Sequence, residues 1–69
     1  MMRLDADVIG KRLRELRGDR SQQEVADAIG VSKMAVSKYE TGLSIPGDDM
    51  KIALADYYGQ TVEQLFFTQ

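Results

Sequence analysis

The chain has 69 residues, a formal net charge of −2, one proline, six glycines, and neither cysteine nor histidine. That length fits a single domain spanning residues 1–69, and a chain this short buries only about 60% of its unfolded surface, so a thin core is expected, in a compact fold that is all-helical or helped by self-association. The missing residue types exclude disulfides, thiolate sites, imidazole bases and ordinary zinc sites, and no apolar run approaches the roughly 18 residues of a membrane span. The start MMRLDADVIG lacks the apolar centre of a signal peptide, so a mature cytoplasmic protein is expected.

The elements follow in chain order. In DADVIGKRLRELR, Val8 or Ile9, then Leu13 and Leu16, recur at helical spacing with Lys11, Arg12 and Arg14 between them, which predicts an amphipathic first helix. Gly18-Asp19 breaks it, and Arg17-Gly18-Asp19, although it spells an adhesion tripeptide, is read as a helix end and turn. Ser21 and Glu24 have the spacing of a capping box, so a second helix begins there with Val25, Ala26 and Ile29 on its apolar stripe and Gly30 as its left-handed cap. Ser32 is a good N-cap for a third helix from Lys33 to Glu40. After the loop from Thr41 to Gly47, Asp48 or Asp49 starts a fourth helix whose Leu54, Ala55 and Tyr58 share a face, and Gly59 ends it. Thr61 and Gln64 form a second capping box ahead of a short last helix carrying Val62, Leu65 and Phe66. No segment alternates with period two long enough for a strand.

Charge is divided along the chain. Residues 11–38 hold seven basic and four acidic side chains, whereas residues 39–69 hold only Lys51 against five acids. A polyanion would therefore be accepted by one half and repelled by the other. The basic half contains SQQEVADAIGVSKMAVSKYETG, residues 21–42, in which two helices of about two turns meet at a glycine turn. That is the pattern of a helix-turn-helix, whose second helix can lie in the major groove of DNA. Ala26 sits where the two helices must pass closely, Gly30 permits positive φ at the turn, and Val31 and Val36 face inward. Lys33, Met34, Ser37 and Lys38 are left on the outward face. The lysines can donate to guanine or phosphate, Ser37 can reach base or backbone, and Met34 offers an apolar contact to a thymine methyl. With Gln22 and Ser32 these four make the candidate DNA-binding set.

Gln22, Ala26, Gly30-Val31-Ser32, Val36, Glu40-x-Gly42 and Pro46 together resemble the lambda-repressor and Cro-type helix-turn-helix family, the XRE family, over residues 9–66. The resemblance implies a compact all-α domain of five helices that binds double-stranded DNA without cofactor or metal. It implies that positions 33, 34, 37 and 38 face the groove, that Gln22 braces against the backbone and the first reader, and that a first-helix arginine, Arg17 being the best placed, pairs with Glu40. Arg12, Arg17 and Arg20 are open to two readings, as phosphate contacts or as a solvated helix face. Relatives of this type imply a repressor of bacterial or phage kind, acting as a homodimer on an inverted repeat; Phe66 and Phe67, at the apolar end of an otherwise acidic half, are the expected place for the seam.

The alternative is a protein-interaction module of the same fold, such as an antitoxin or antirepressor partner, which the overall negative charge favours. An enzyme is not expected, because no spacing joins a nucleophile to a base. Three departures from the family stand out: the loop from Thr41 to Gly47 lacks Lys and Arg, Asp48 and Asp49 follow it, and Lys51 and Gln60 occupy positions that relatives keep apolar. They predict weak phosphate capture per subunit and loose C-terminal packing.

Overall fold

The computed structural model describes residues 5–67. Helix α1 spans Ala6–Arg17, α2 Gln22–Ile29, α3 Lys33–Thr41 and α4 Asp48–Tyr57, followed by a short helical turn, α5, at Glu63–Phe67. No strand occurs among the described residues, so the fold is the all-α, five-helix arrangement that the motif implies.

Each boundary has a local cause. The Asp5 carboxylate accepts from the amides of Asp7 and Val8 at 3.0 and 3.3 Å and opens α1. The hydroxyls of Ser21 and Ser32 accept from the amides of Glu24 and Ala35 at 3.0 and 3.1 Å, which satisfies otherwise free donors at the starts of α2 and α3. Between these helices Gly30 takes φ 79°, ψ 36°, and donates to the Ala26 carbonyl. A side chain there would force an L-residue into the left-handed region, so this glycine fixes the angle of the helix-turn-helix.

The core is formed by Ile9, Leu13, Val25, Ala26, Val36, Leu54, Ala55, Leu65 and Phe66, each exposed by 2% or less. Of the two residues that could begin the apolar stripe of α1, Ile9 is inside and Val8 is not. Helix α3 packs on both α1 and α2, while α4 lies on α2 and α5 on α1. The crossing of α1 and α3 is a backbone contact. A Cβ on Gly10 would come within 2.5 Å of the Glu40 carbonyl oxygen and 2.8 Å of that of Tyr39. Glycine in a helix interior costs about 1 kcal/mol relative to alanine, and here that cost lets α1 approach the last turn of α3.

The C-terminal turn departs from expectation in form. Its capping box is complete: Thr61 accepts from the Gln64 amide, and the Gln64 side chain accepts from the Thr61 amide, both at 3.0 Å. The turn that follows is a π-helix over Glu63–Phe67, wider than an α-helix, with the consecutive Leu65 and Phe66 both buried. Arg12 donates to the carbonyls of Gln64 and Leu65 at 3.3 and 3.2 Å and so ties this turn to α1. Two expectations are corrected here. Phe66 is only 2% exposed and belongs to the subunit's own core, so it has no surface to offer a dimer seam; Phe67 is half-buried. Lys51 does not loosen the packing: its stem is buried, and its ammonium reaches Asp48 at 3.5 Å and lies 5.8 Å from the centre of the Phe67 ring.

Candidate nucleic-acid interface

Helix α3 has two unlike faces. Val36 and Glu40, one helical turn apart, are buried at 2% and 5% exposure, and they fix its rotation about its own axis. The opposite face then carries Lys33, Met34 and Lys38 into solvent, with Ser37 half-buried beside them. Met34 is 65% exposed, an unusual placement for an unbranched apolar side chain unless another surface covers it. Neither Lys33 nor Lys38 pairs with an acidic side chain among the described residues. Ser32 is exposed at the start of the same helix, with its hydroxyl already accepting from Ala35.

The end of α3 is tied down by a buried polar cluster. Arg17 Nε and Nη2 donate to Glu40 Oε2 and Oε1 at 2.7 and 3.0 Å, a bidentate pair, and its Nη1 donates to the Arg20 carbonyl at 2.7 Å. Gln22 Nε2 donates to Glu40 Oε1 at 3.0 Å. One carboxylate thus joins the end of α1, the start of α2 and the last turn of α3. The hydrogen bond to Glu40 raises the Arg17 pKa above its ordinary value, and burial works against it. Arg17 therefore stays charged, and Glu40 is compensated inside the fold.

The remaining arginines are also engaged. Arg12 ties α5 to α1, as described. The Arg20 guanidinium lies 5.2 and 5.4 Å from the ring centres of Tyr57 and Tyr58, which meet edge to face at 4.9 Å. Burial pushes the Tyr58 phenol up to about 12, and the nearby Glu40 charge adds to this. Arg20 itself remains exposed. The structure thus brings Lys33, Met34, Ser37 and Lys38 together on one face, and separates from them three arginines that each have an internal partner.

Two features were not anticipated. Gln22 contacts a buried carboxylate, and its position at the opening of α2, after an arginine at 17 and before a glutamate at 40, held no local signal of this. The Gly10 contact had a signal, a glycine in the middle of an otherwise regular amphipathic helix. A shallow depression lies between α1 and the end of α3, lined by Asp7, Lys11, Arg14, Glu15, Glu40 and Thr41. Its charges are mixed. Among the described residues no group of acidic side chains is placed to hold a metal ion, and no helix is long and apolar enough to cross a membrane.

A helix-turn-helix whose second helix is anchored by its inner face and bears free cations on its outer face defines the class of XRE-type DNA-binding domains. The Helix-turn-helix family profile HTH_3 matches residues 11–65, and the chain belongs to that family. Solved structures agree in fold. The P22 c2 repressor in complex with a synthetic operator is 25% identical, with a TM-score of 0.81 over 84% of this chain and 91% of that one. The restriction-modification controller protein C.AhdI from Aeromonas hydrophila is 30% identical, with a TM-score of 0.81 over 90% of this chain and 97% of that one. The SOS-response transcriptional repressor LexA from Eubacterium rectale is 26% identical, with a TM-score of 0.82 over 96% of this chain and 74% of that one. A comparison with curated protein sequences gives no match.

Proposed function

We propose that this domain is a cytoplasmic transcriptional repressor of bacterial or phage type that binds double-stranded DNA sequence-specifically, with α3 in the major groove. The observation that carries the reading is the outer face of α3: two unpaired lysines flank an exposed methionine and a serine on a helix whose inner face is locked. The likeness to the P22 c2 repressor, solved on an operator, supports it. In this reading Lys33 and Lys38 donate to guanine edges or phosphate, Ser37 to base or backbone, and Met34 packs on a thymine methyl. Ser32 and the start of α2 lie against the backbone. Among the arginines, Arg20 is the one with exposed donors near that start, whereas Arg12 and Arg17 act mainly within the fold.

A single module of this kind buries only about 600–1,000 Å² on DNA, so useful specificity comes from a homodimer on an inverted repeat. With Phe66 inside the core, Phe67 and the 60% exposed Ile52 are apolar groups on the C-terminal helices that can serve the seam. Selection of bound duplexes from a random-sequence pool tests the reading: an enriched inverted repeat is expected, and a pool that stays random overturns it. A second reading, a protein-interaction module, draws on Leu43 and Ile45, exposed by 79% and 39% in the loop before α4 and followed by Asp48 and Asp49. It predicts that random pool.

A further inference from the structure

Helix α3 places a sulfur in solvent. Met34 is 65% exposed on the outward face, whereas Met50 is half-buried and none of the core residues is a methionine. The chain has no cysteine, so thioethers are its only oxidisable sulfur. Lys33 precedes Met34 and Lys38 follows one turn on, and neither pairs with an acidic side chain among the described residues. A polarisable, apolar group is therefore held in water between two free cations, outside the packing that keeps the domain folded.

From this placement we propose that Met34 is an oxidation site, through which a peroxide lowers sequence-specific binding of DNA without disturbing the fold. The regulation rests on the DNA-binding reading; the reactivity of the site does not. The sulfur lone pair attacks one oxygen of hydrogen peroxide, the O–O bond breaks as the S–O bond forms, and the departing hydroxide takes the remaining hydroxyl proton to become water. Sulfur gives up two electrons and peroxide gains them. The product is the sulfoxide, polar where the thioether was apolar, and methionine sulfoxide reductases return it to the thioether. Against a thymine methyl the sulfoxide oxygen is stripped of water, a cost that the thioether does not carry. Residues four apart are neighbours on a helix surface, so the oxygen recovers a partner from the Lys38 ammonium, which is then lost to base edges and phosphate. One added atom thus acts on two of the four outward side chains.

Treatment of the free chain with hydrogen peroxide comes first. Tryptic cleavage after Lys33 and Lys38 releases residues 34–38 with Met34 as their single methionine, apart from Met50. Mass spectrometry should show Met34 gaining oxygen about threefold faster than Met50, and a rate no greater than that of Met50 would overturn the site. Chain oxidised at Met34 and not at Met50, isolated by chromatography, should melt with the parent; a lower melting temperature would make lost binding a loss of fold and overturn the inference. That form is then titrated with a duplex recovered from the random pool and with a scrambled duplex of the same length. The ratio of selected to scrambled binding should shrink by about tenfold, and return after treatment with the A- and B-type reductases, one for each sulfoxide epimer. Met34→Gln, polar from the start, should show the shrunken ratio without peroxide. Met34→Leu, which has no sulfur there, should change its ratio by less than about twofold when treated. An unchanged ratio in the oxidised parent, or an equal loss in treated Met34→Leu, would overturn the inference. If the untreated parent distinguishes no duplex, the DNA-binding reading has failed and the regulation with it, while the peptide map still reads the reactivity of Met34.

Discussion

At the level of single residues, cations on this surface fall into two groups, and their partners separate them. Arg12, Arg17 and Arg20 have acceptors or aromatic faces within the subunit, while Lys33 and Lys38 have none among the described residues. A side chain already held costs binding nothing in new order, but it also has fewer donors left to give. Lys33→Ala and Lys38→Ala should each cost about 1–3 kcal/mol on a selected duplex and relax preference at one base position, more than Arg12→Ala does. Fluorescence titration of selected and scrambled duplexes measures both, and an equal loss on the two would reduce the lysine to a phosphate contact. Tyr58 supplies a pH prediction. Its folded-state pKa, about 12, lies above the ordinary value of 10.0, so the folded chain holds this proton more tightly than the unfolded chain. The stabilising contribution is complete below pH 10 and is lost as pH rises from 10 toward 12. Melting temperature should fall across that window, and Tyr58→Phe should flatten the fall; an identical fall in the variant would put the alkaline transition elsewhere. The outward lysines were legible from helix periodicity, but the setting of Tyr58 was not, because its place on a face with Leu54 and Ala55 does not show that Arg20 lies across it.

At the level of elements, the helices were legible because their signals are local. Ser21, Ser32 and Thr61 each cap the helix that their position predicts, and Gly30 takes the left-handed conformation that the turn requires. The widened form of α5 was not legible. It follows from placing two adjacent large side chains, Leu65 and Phe66, in one core, and from Arg12, 52 residues away, on its carbonyls. The pairing of α1 with α3 is likewise a long-range fact. Gly10→Ala would drive a methyl into two backbone carbonyls that cannot retreat without moving α3, and should destabilise by about 1–3 kcal/mol, the scale of an overpacked core. Ala26→Leu, at a site with 0% exposure, should do the same at the α2 crossing. Thermal melts unchanged from the parent would show that neither crossing is tight. The ion pair that joins the same elements behaves differently. Arg17→Met strands Glu40 in the interior at a cost of about 3–5 kcal/mol, a large share of the stability of so small a domain. Adding Glu40→Leu removes the stranded charge, so the double variant should melt above the single one; if it melts lower, Glu40 is not stranded by the loss of Arg17.

At the level of the whole molecule, charge sets how the domain meets a polyanion. The seven basic side chains of residues 11–38 lie on α1 to α3 and the turn between α1 and α2, but three of the four arginines among them are committed within the fold, and the acids that follow Glu40 lie on α4 and α5. Asp48 and Asp49 stand in the first turn of α4, where they complement the positive end of that helix and oppose an approaching phosphate. One subunit can therefore release few counterions, and its binding should be weak with a shallow dependence on salt. Two subunits related by a two-fold axis double the phosphate contacts and present a second copy of α3 about 34 Å away, one turn along the same face of the duplex. That geometry demands an inverted repeat, and it demands a seam away from α3. Ile52→Asp places a charge on the exposed apolar residue of α4 and leaves the buried core untouched. It should lower affinity for a full inverted repeat while leaving affinity for a half-site unchanged. Sedimentation of the DNA complexes reads the stoichiometry directly: two subunits per full site for the parent and one for the variant are expected. One subunit per site in the parent, or two arranged head to tail on a direct repeat, would remove the two-fold dimer and leave the helix-turn-helix in place.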